Sequence, residues 1–250
     1  MPTGAPRLVM RAWPGFARGA WLTLCLWLAG AGAVTSQTIV TARYGAPTDR
    51  YAHGVLGDAI EWGALELTFA DGSSRTITLP TDHVFEDVAP RLADLDGDGA
   101  PEVMVVETDV ATGSALAIYG PDGKITETPH IGARNRWLAP IGAADLDGDG
   151  VIELAYVDRP HLARILRIWR YEAGKLTQIA ALEGVTNHRI GEVDIAGGIR
   201  TCTGTPEMIV ASANWSQLMA VAWTGEAFVS TGIGSDTTRP AFARAMACAD

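Results

Sequence analysis

Three observations predict an all-β, β-propeller-like fold of about four or five four-stranded antiparallel blades. A segment recurs at a fixed offset, short runs rich in β-branched residues fill the interval, and turns separate those runs. The recurrence is direct: Asp94-Leu95-Asp96-Gly97-Asp98-Gly99 returns 51 residues later as Asp145-Leu146-Asp147-Gly148-Asp149-Gly150. Glu102 returns as Glu153, Gly123-Lys124 as Gly174-Lys175, and Thr126 as Thr177, so the register holds over a whole unit. An antiparallel blade of this size cannot bury both faces alone, which is why such units come as arrays.

The elements follow in order. In the first complete unit, strands are expected at Val103 to Val106, Ala115 to Tyr119 and Lys124 to Thr128, with a turn at Pro121-Asp122-Gly123. The second repeats the plan with Leu154 to Val157, Ile165 to Tyr171, a turn at Ala173-Gly174, and Leu176 to Ala181. Downstream, Pro206 to Val210, Leu218 to Trp223 and Ala227 to Ser230 form a weaker unit whose loop keeps Asp194 but not the acidic spacing. Upstream, Ala64 to Phe69, the turn Asp71-Gly72, and Thr76 to Leu79 form another, with His53 to Asp58 in place of the acidic loop. The units span about 45–85, 90–135, 140–185 and 190–235 within one domain, 34–250. Pro240 to Ala247 is expected to add a strand that closes the ring, with Thr38 to Arg43 available to pair there.

An apolar fraction of 48% supports a real core, and the net charge of −10 argues against nucleic-acid or anionic-membrane partners. Residues 1–33 read as a secretory signal peptide: Arg7, Arg11 and Arg18, the apolar run Ala20 to Ala29, then Ala31-Gly32-Ala33 as a small-residue cleavage site. The competing reading is an uncleaved anchor, but the run is about 15 residues against the roughly 20 that span a bilayer. Periplasmic or secreted location and no membrane insertion after cleavage are the expectations. Cleavage removes Cys25, leaving 16 basic and 29 acidic residues and only Cys202 and Cys248 as thiols. In an oxidising compartment these two are expected to form a disulfide, the alternative being two buried free cysteines.

Each acidic loop places three carboxylates at alternate positions, with glycines that let the backbone wrap an ion. Hard oxygen donors in that number suit Ca²⁺. The ligand sets expected are Asp94, Asp96, Asp98, the Ala100 carbonyl and Glu102, then Asp145, Asp147, Asp149, the Val151 carbonyl and Glu153. An EF-hand is excluded because its bidentate acid falls at loop position 12, here Val105 and Tyr156, and because a strand follows where that motif has a helix.

Asp-x-Asp-x-Asp-Gly-x-x-Glu followed by a strand resembles the FG-GAP and VCBS repeats of integrin-α-like propellers. The stretch Ala139-Pro140-Ile141-Gly142-Ala143-Ala144 is similar to the Gly-Ala-Pro region of that motif, with a different order. The resemblance implies a propeller with calcium in blade hairpins, mainly structural, in a family linked to adhesion or ligand binding. An unknown protein or glycan is then the expected partner.

The five histidines show no zinc-ligand spacing, and neither a Gly-x-Ser-x-Gly elbow nor a phosphate-binding Gly-Lys-Ser/Thr loop is present. Two polar and aromatic clusters fall at comparable places in successive units: Arg134, Arg136 and Trp137 with Asp158 and His161, and His188 and Arg189 with Trp215. Convergent Arg, His and Trp suit an anionic or carbohydrate ligand, while ordinary loop packing is the competing reading. No residue is assigned a catalytic role. The alternative function is a hydrolase or lyase in the central channel, with His161, His188 and Asp158 as acid and base.

Overall fold

The computed structural model describes residues 37–249 together with Met1 and Gly4, and the expected targeting segment falls outside the described residues apart from those two. The chain order is β1 (Ile39–Thr48), β2 (Glu61–Phe69), β3 (Ser74–Thr78), β4 (His83–Phe85), β5 (Arg91–Ala93), β6 (Glu102–Asp109), β7 (Gly113–Gly120), β8 (Gly123–Glu127) and β9 (Leu138–Ala144). It continues with β10 (Glu153–Asp158), β11 (Ile165–Glu172), β12 (Lys175–Glu183), β13 (Val185–Thr186), β14 (Gly198–Thr201), β15 (Pro206–Ser212), β16 (Leu218–Trp223), β17 (Phe228–Gly234) and helix α1 (Arg239–Met246). Every strand pairing is antiparallel, so the all-β class is observed directly.

The sheets differ in size from uniform four-stranded blades. Strands β9 to β12 form a four-stranded meander, the last sheet has five strands, and the first has eight. The eight-stranded sheet arises because the short β4 bridges two groups, pairing with β2 through Trp62 and Phe85 and with β6 through His83 to Phe85.

Strand periodicity explains the packing. Successive side chains point to opposite faces, and on the inner strands β6, β10 and β15 both faces are apolar because each is shared between two cores. On β6, Val103 and Val105 enter one cluster with Leu65, Leu67 and Phe85, while Met104 and Val106 enter the next with Leu154, Tyr156 and Trp137. On β10, Leu154 and Tyr156 face that second cluster, and Ala155 and Val157 face a third with Met208, Val210 and Trp223. On β15, Met208 and Val210 face the third, and Ile209 and Ala211 face a fourth that includes Phe242 of α1. The layers therefore stack in chain order.

Two expectations about ring closure are corrected. Pro240 to Ala247 is helical: Pro240 falls in the first turn, where its missing N–H costs nothing, and the alanines that follow favour helix over strand. Ala241, Phe242 and Ala245 form the buried face of α1 and cover the outer side of the last sheet. Of the Thr38 to Arg43 stretch, Ile39 to Arg43 lies in β1 and pairs with β2, and not with the C-terminal sheet. Cys202 and Cys248 form a disulfide across a separation of 46 residues, and Arg200 donates to the Ala245 carbonyl at 2.7 Å, so the end of β14 and the end of α1 are held together.

Candidate functional site

Each acidic loop is organised by its own backbone. In the first, Asp94 accepts from Gly97 N–H at 2.8 Å and from Gly99 N–H at 3.0 Å, and Glu102 accepts from Leu95 N–H at 2.9 Å. The second is a copy: Asp145 accepts from Gly148 and Gly150, and Glu153 from Leu146. Gly97 and Gly99 take φ of +76° and +85°, and Gly148 and Gly150 take +82° and +89°, which a side chain would resist. One carboxylate oxygen from each of Asp94, Asp96 and Glu102 lies within 4.8 Å of the others, and so do those of Asp145, Asp147 and Glu153. Three carboxylate oxygens gathered that closely could hold a metal ion in either loop. Asp98 and Asp149 each turn one oxygen back to the N–H of Ala100 and Val151.

The two loops differ in charge. Burial, followed by the Asp96 and Asp98 charges, pushes the Glu102 carboxyl above the ordinary range, with the Leu95 N–H acting against it. Among the described residues, no basic side chain forms an ion pair with the first loop. In the second, the guanidinium of Arg170 on β11 lies 3.0 Å from Asp147, 2.7 Å from Asp149 and 2.8 Å from Glu153. The residue 51 positions earlier is Tyr119, which instead donates to Glu107 at 2.6 Å. The sequence alone does not mark this difference, because the neighbouring positions Ile118/Trp169 and Gly120/Tyr171 also differ at the 51-residue offset.

A cavity of about 260 Å³ opens where four loops meet, lined by His53, Asn135, Arg136, Trp137, Arg159, His161, Leu162 and Ile190. They come from the β1–β2, β8–β9, β10–β11 and β13–β14 connections. The first and last of these loops touch directly, with Gly191 N–H donating to the Val55 carbonyl at 3.0 Å. Beneath the cavity, buried Glu86 accepts from the Thr108 hydroxyl at 2.8 Å and contacts His53 Nδ1 at 2.5 Å, while its backbone carbonyl accepts from Trp137 Nε1 at 2.8 Å. His161 stacks on Trp137 at 6.3 Å, and its Nε2 lies 2.9 Å from Nδ1 of buried His188. Burial, then His188 and His53, lower the His161 imidazole to about 4.

Of the ligand candidates read from the sequence, Arg136, Trp137 and His161 line the cavity, with His188 directly behind. Asp158 is buried and tied to Arg159 and Arg167. Arg134 covers the Tyr51 ring, and Arg189 covers the Trp215 ring at 3.8 Å, a separate pairing outside the cavity lining. His53 and Glu86 were not singled out as site residues: they stand 33 positions apart, and no spacing rule links them.

Residues 94–156 match the family described as FG-GAP-like repeat. No curated protein and no solved structure matches the chain. The matched stretch starts at the first acid of one loop and ends in the strand behind the other, so the chain carries an FG-GAP-like repeat over those residues.

Proposed function

We propose that this chain is an exported, propeller-like binding module of the adhesion type, braced by calcium and non-catalytic, whose ligand enters the cavity built by the four converging loops. The carrying observation is that convergence: residues spread from His53 to Ile190 share one opening, above a layered scaffold that fixes each loop. The FG-GAP-like match supports the adhesion-type reading. Calcium belongs in the proposal because the first loop gathers Asp94, Asp96, Asp98 and Glu102 without a basic partner among the described residues. Bound there, the ion neutralises the cluster and stiffens the loop between β5 and β6. Its role is structural, and the ligand is a protein or a glycan.

Export is supported by the Arg-led apolar segment in residues 1–33 and by the Cys202–Cys248 disulfide, which suits an oxidising compartment. Among the described residues, no helix is long and apolar enough to cross a membrane.

The test is the melting temperature of the mature protein in excess calcium and in chelator, with and without Asp96→Ala. A rise in the wild type that the substitution removes supports a calcium-braced module; no response to calcium in either removes the brace from the proposal.

A further inference from the structure

We propose that the four-loop cavity takes a hydroxylated carboxylate, the chemistry of an acidic sugar such as a uronic acid. The inference rests on the binding-module reading and specifies its ligand.

The first argument is charge. The chain carries a net −10, yet no acid lines this cavity, and the guanidinium groups of Arg136 and Arg159 do. Arg159 is shared with Asp158, but Arg136 has no carboxylate partner among the described residues; its guanidinium donates only to the neighbouring Asn135 carbonyl at 2.9 Å. A guanidinium matches a carboxylate in shape as well as charge.

The second argument is the fixed direction of the imidazoles. The Glu192 carbonyl, 2.9 Å from His188 Nε2, can only accept, so that nitrogen carries the proton. Neutral His188 then offers Nδ1 as an acceptor, and His161 Nε2, 2.9 Å away, must donate to it. His161 is left with a lone pair on Nδ1, which has no hydrogen-bond partner among the described residues. His53 points Nδ1 at the Glu86 carboxylate, which leaves Nε2 without a partner among the described residues. The cavity thus presents guanidinium donors beside an imidazole acceptor, His161 Nδ1. A carboxylate satisfies the former, and hydroxyl protons satisfy the latter. Sulfate, which carries no proton at neutral pH, leaves that acceptor unmatched, and a neutral sugar leaves the guanidinium unmatched.

The third argument is shape. Leu162 and Ile190 are 63% and 74% exposed at the cavity, an apolar surface suited to the C–H face of a sugar ring. About 260 Å³ suits a single small ring, being below the volumes usual for drug-sized ligands. Arg159, a non-glycine residue at φ of +46°, is held in the left-handed region at the cavity wall.

The experiment is calorimetric titration of the mature protein with D-glucuronate, D-glucose and hexanoate, which separate carboxylate from hydroxyl recognition. Glucuronate is expected to bind at least tenfold more tightly than either control. Arg136→Gln and His161→Phe, which keeps the aromatic contact with Trp137, are each expected to weaken it at least tenfold. Arg43→Gln, on β1 and outside the cavity, leaves it unchanged. Equal binding of glucose and glucuronate, no binding of glucuronate, or full affinity in Arg136→Gln overturns the proposal. If glucuronate fails while calcium still raises the melting temperature, only the ligand assignment falls. If both fail, the calcium-braced module falls with it.

Discussion

The Arg170 guanidinium lies 2.8 Å from the Glu153 carboxylate, in an acidic loop whose counterpart 51 residues earlier has no such cation among the described residues. The two acidic loops share a backbone and differ in how their charge is balanced.

Calcium dependence should therefore be unequal. With a site of about 0.1 mM affinity, 1 mM calcium contributes roughly 1.4 kcal/mol, about 3 to 6 °C for a chain this size. Asp96→Ala is expected to remove most of that rise in a thermal melt, and Asp147→Ala a smaller part. Arg170→Gln should lower the melting temperature in chelator and enlarge the calcium-induced rise. Equal losses from the two aspartate substitutions would show that Arg170 does not replace the ion.

Glu61 is buried on β2, and burial, then Glu86 and Asp58, push its carboxyl up to about 9. The folded state then binds a proton that the unfolded chain has released above its ordinary value of 4.5. This contribution to stability falls as pH rises from about 4.5 to about 9. Glu61→Gln should raise the melting temperature at pH 8 by about 2 to 4 °C, equivalent to about 1 kcal/mol, and do much less at pH 5. An unchanged difference between the two pH values would contradict the assignment.

His161 works in the opposite direction. Its imidazole is lowered to about 4, so the unfolded chain takes up the proton first as pH falls below 6.5. The stabilisation is complete above 6.5 and is lost on acidification towards about 4. His161→Phe should flatten that part of the stability profile, measured by denaturant midpoint between pH 7 and pH 4.

Reduction of the Cys202–Cys248 disulfide reopens a loop of 46 residues, worth about 3 to 4 kcal/mol in the chain-entropy estimate. Dithiothreitol should lower the melting temperature by about 6 °C or more, and Cys202→Ser/Cys248→Ser should start low and ignore the reductant.

Much of the scaffold was legible because strand chemistry is local. Leu218 to Trp223 matches β16 residue for residue, and the two acidic loops stand out through their offset. What escaped depended on tertiary context. β4 and β5 are three residues each, too short to show a period, and β9 contains Pro140 and Gly142, which read as loop. The segment of α1 reads as a strand only on the expectation that the ring closes there, whereas Pro240 and the surrounding alanines favour helix. In the site, Arg136, Trp137 and His161 were found from clustering along the chain. His53, Glu86 and Ile190 reach it only through folding, and Asp158 was diverted to Arg159 and Arg167, a contact no spacing predicts.

The helix at the end of the stack also sets where the array stops. With Phe242, Ala241 and Ala245 lying on Ile209, Leu218 and Ala220, the last sheet has no apolar face left to offer another layer. A duplicated repeat inserted after β17 would have to displace that helix and strain the cystine that anchors it, whereas one inserted between existing layers would meet apolar surfaces on both sides. Growth by tandem duplication is in this sense closed at the C-terminal end and open in the middle.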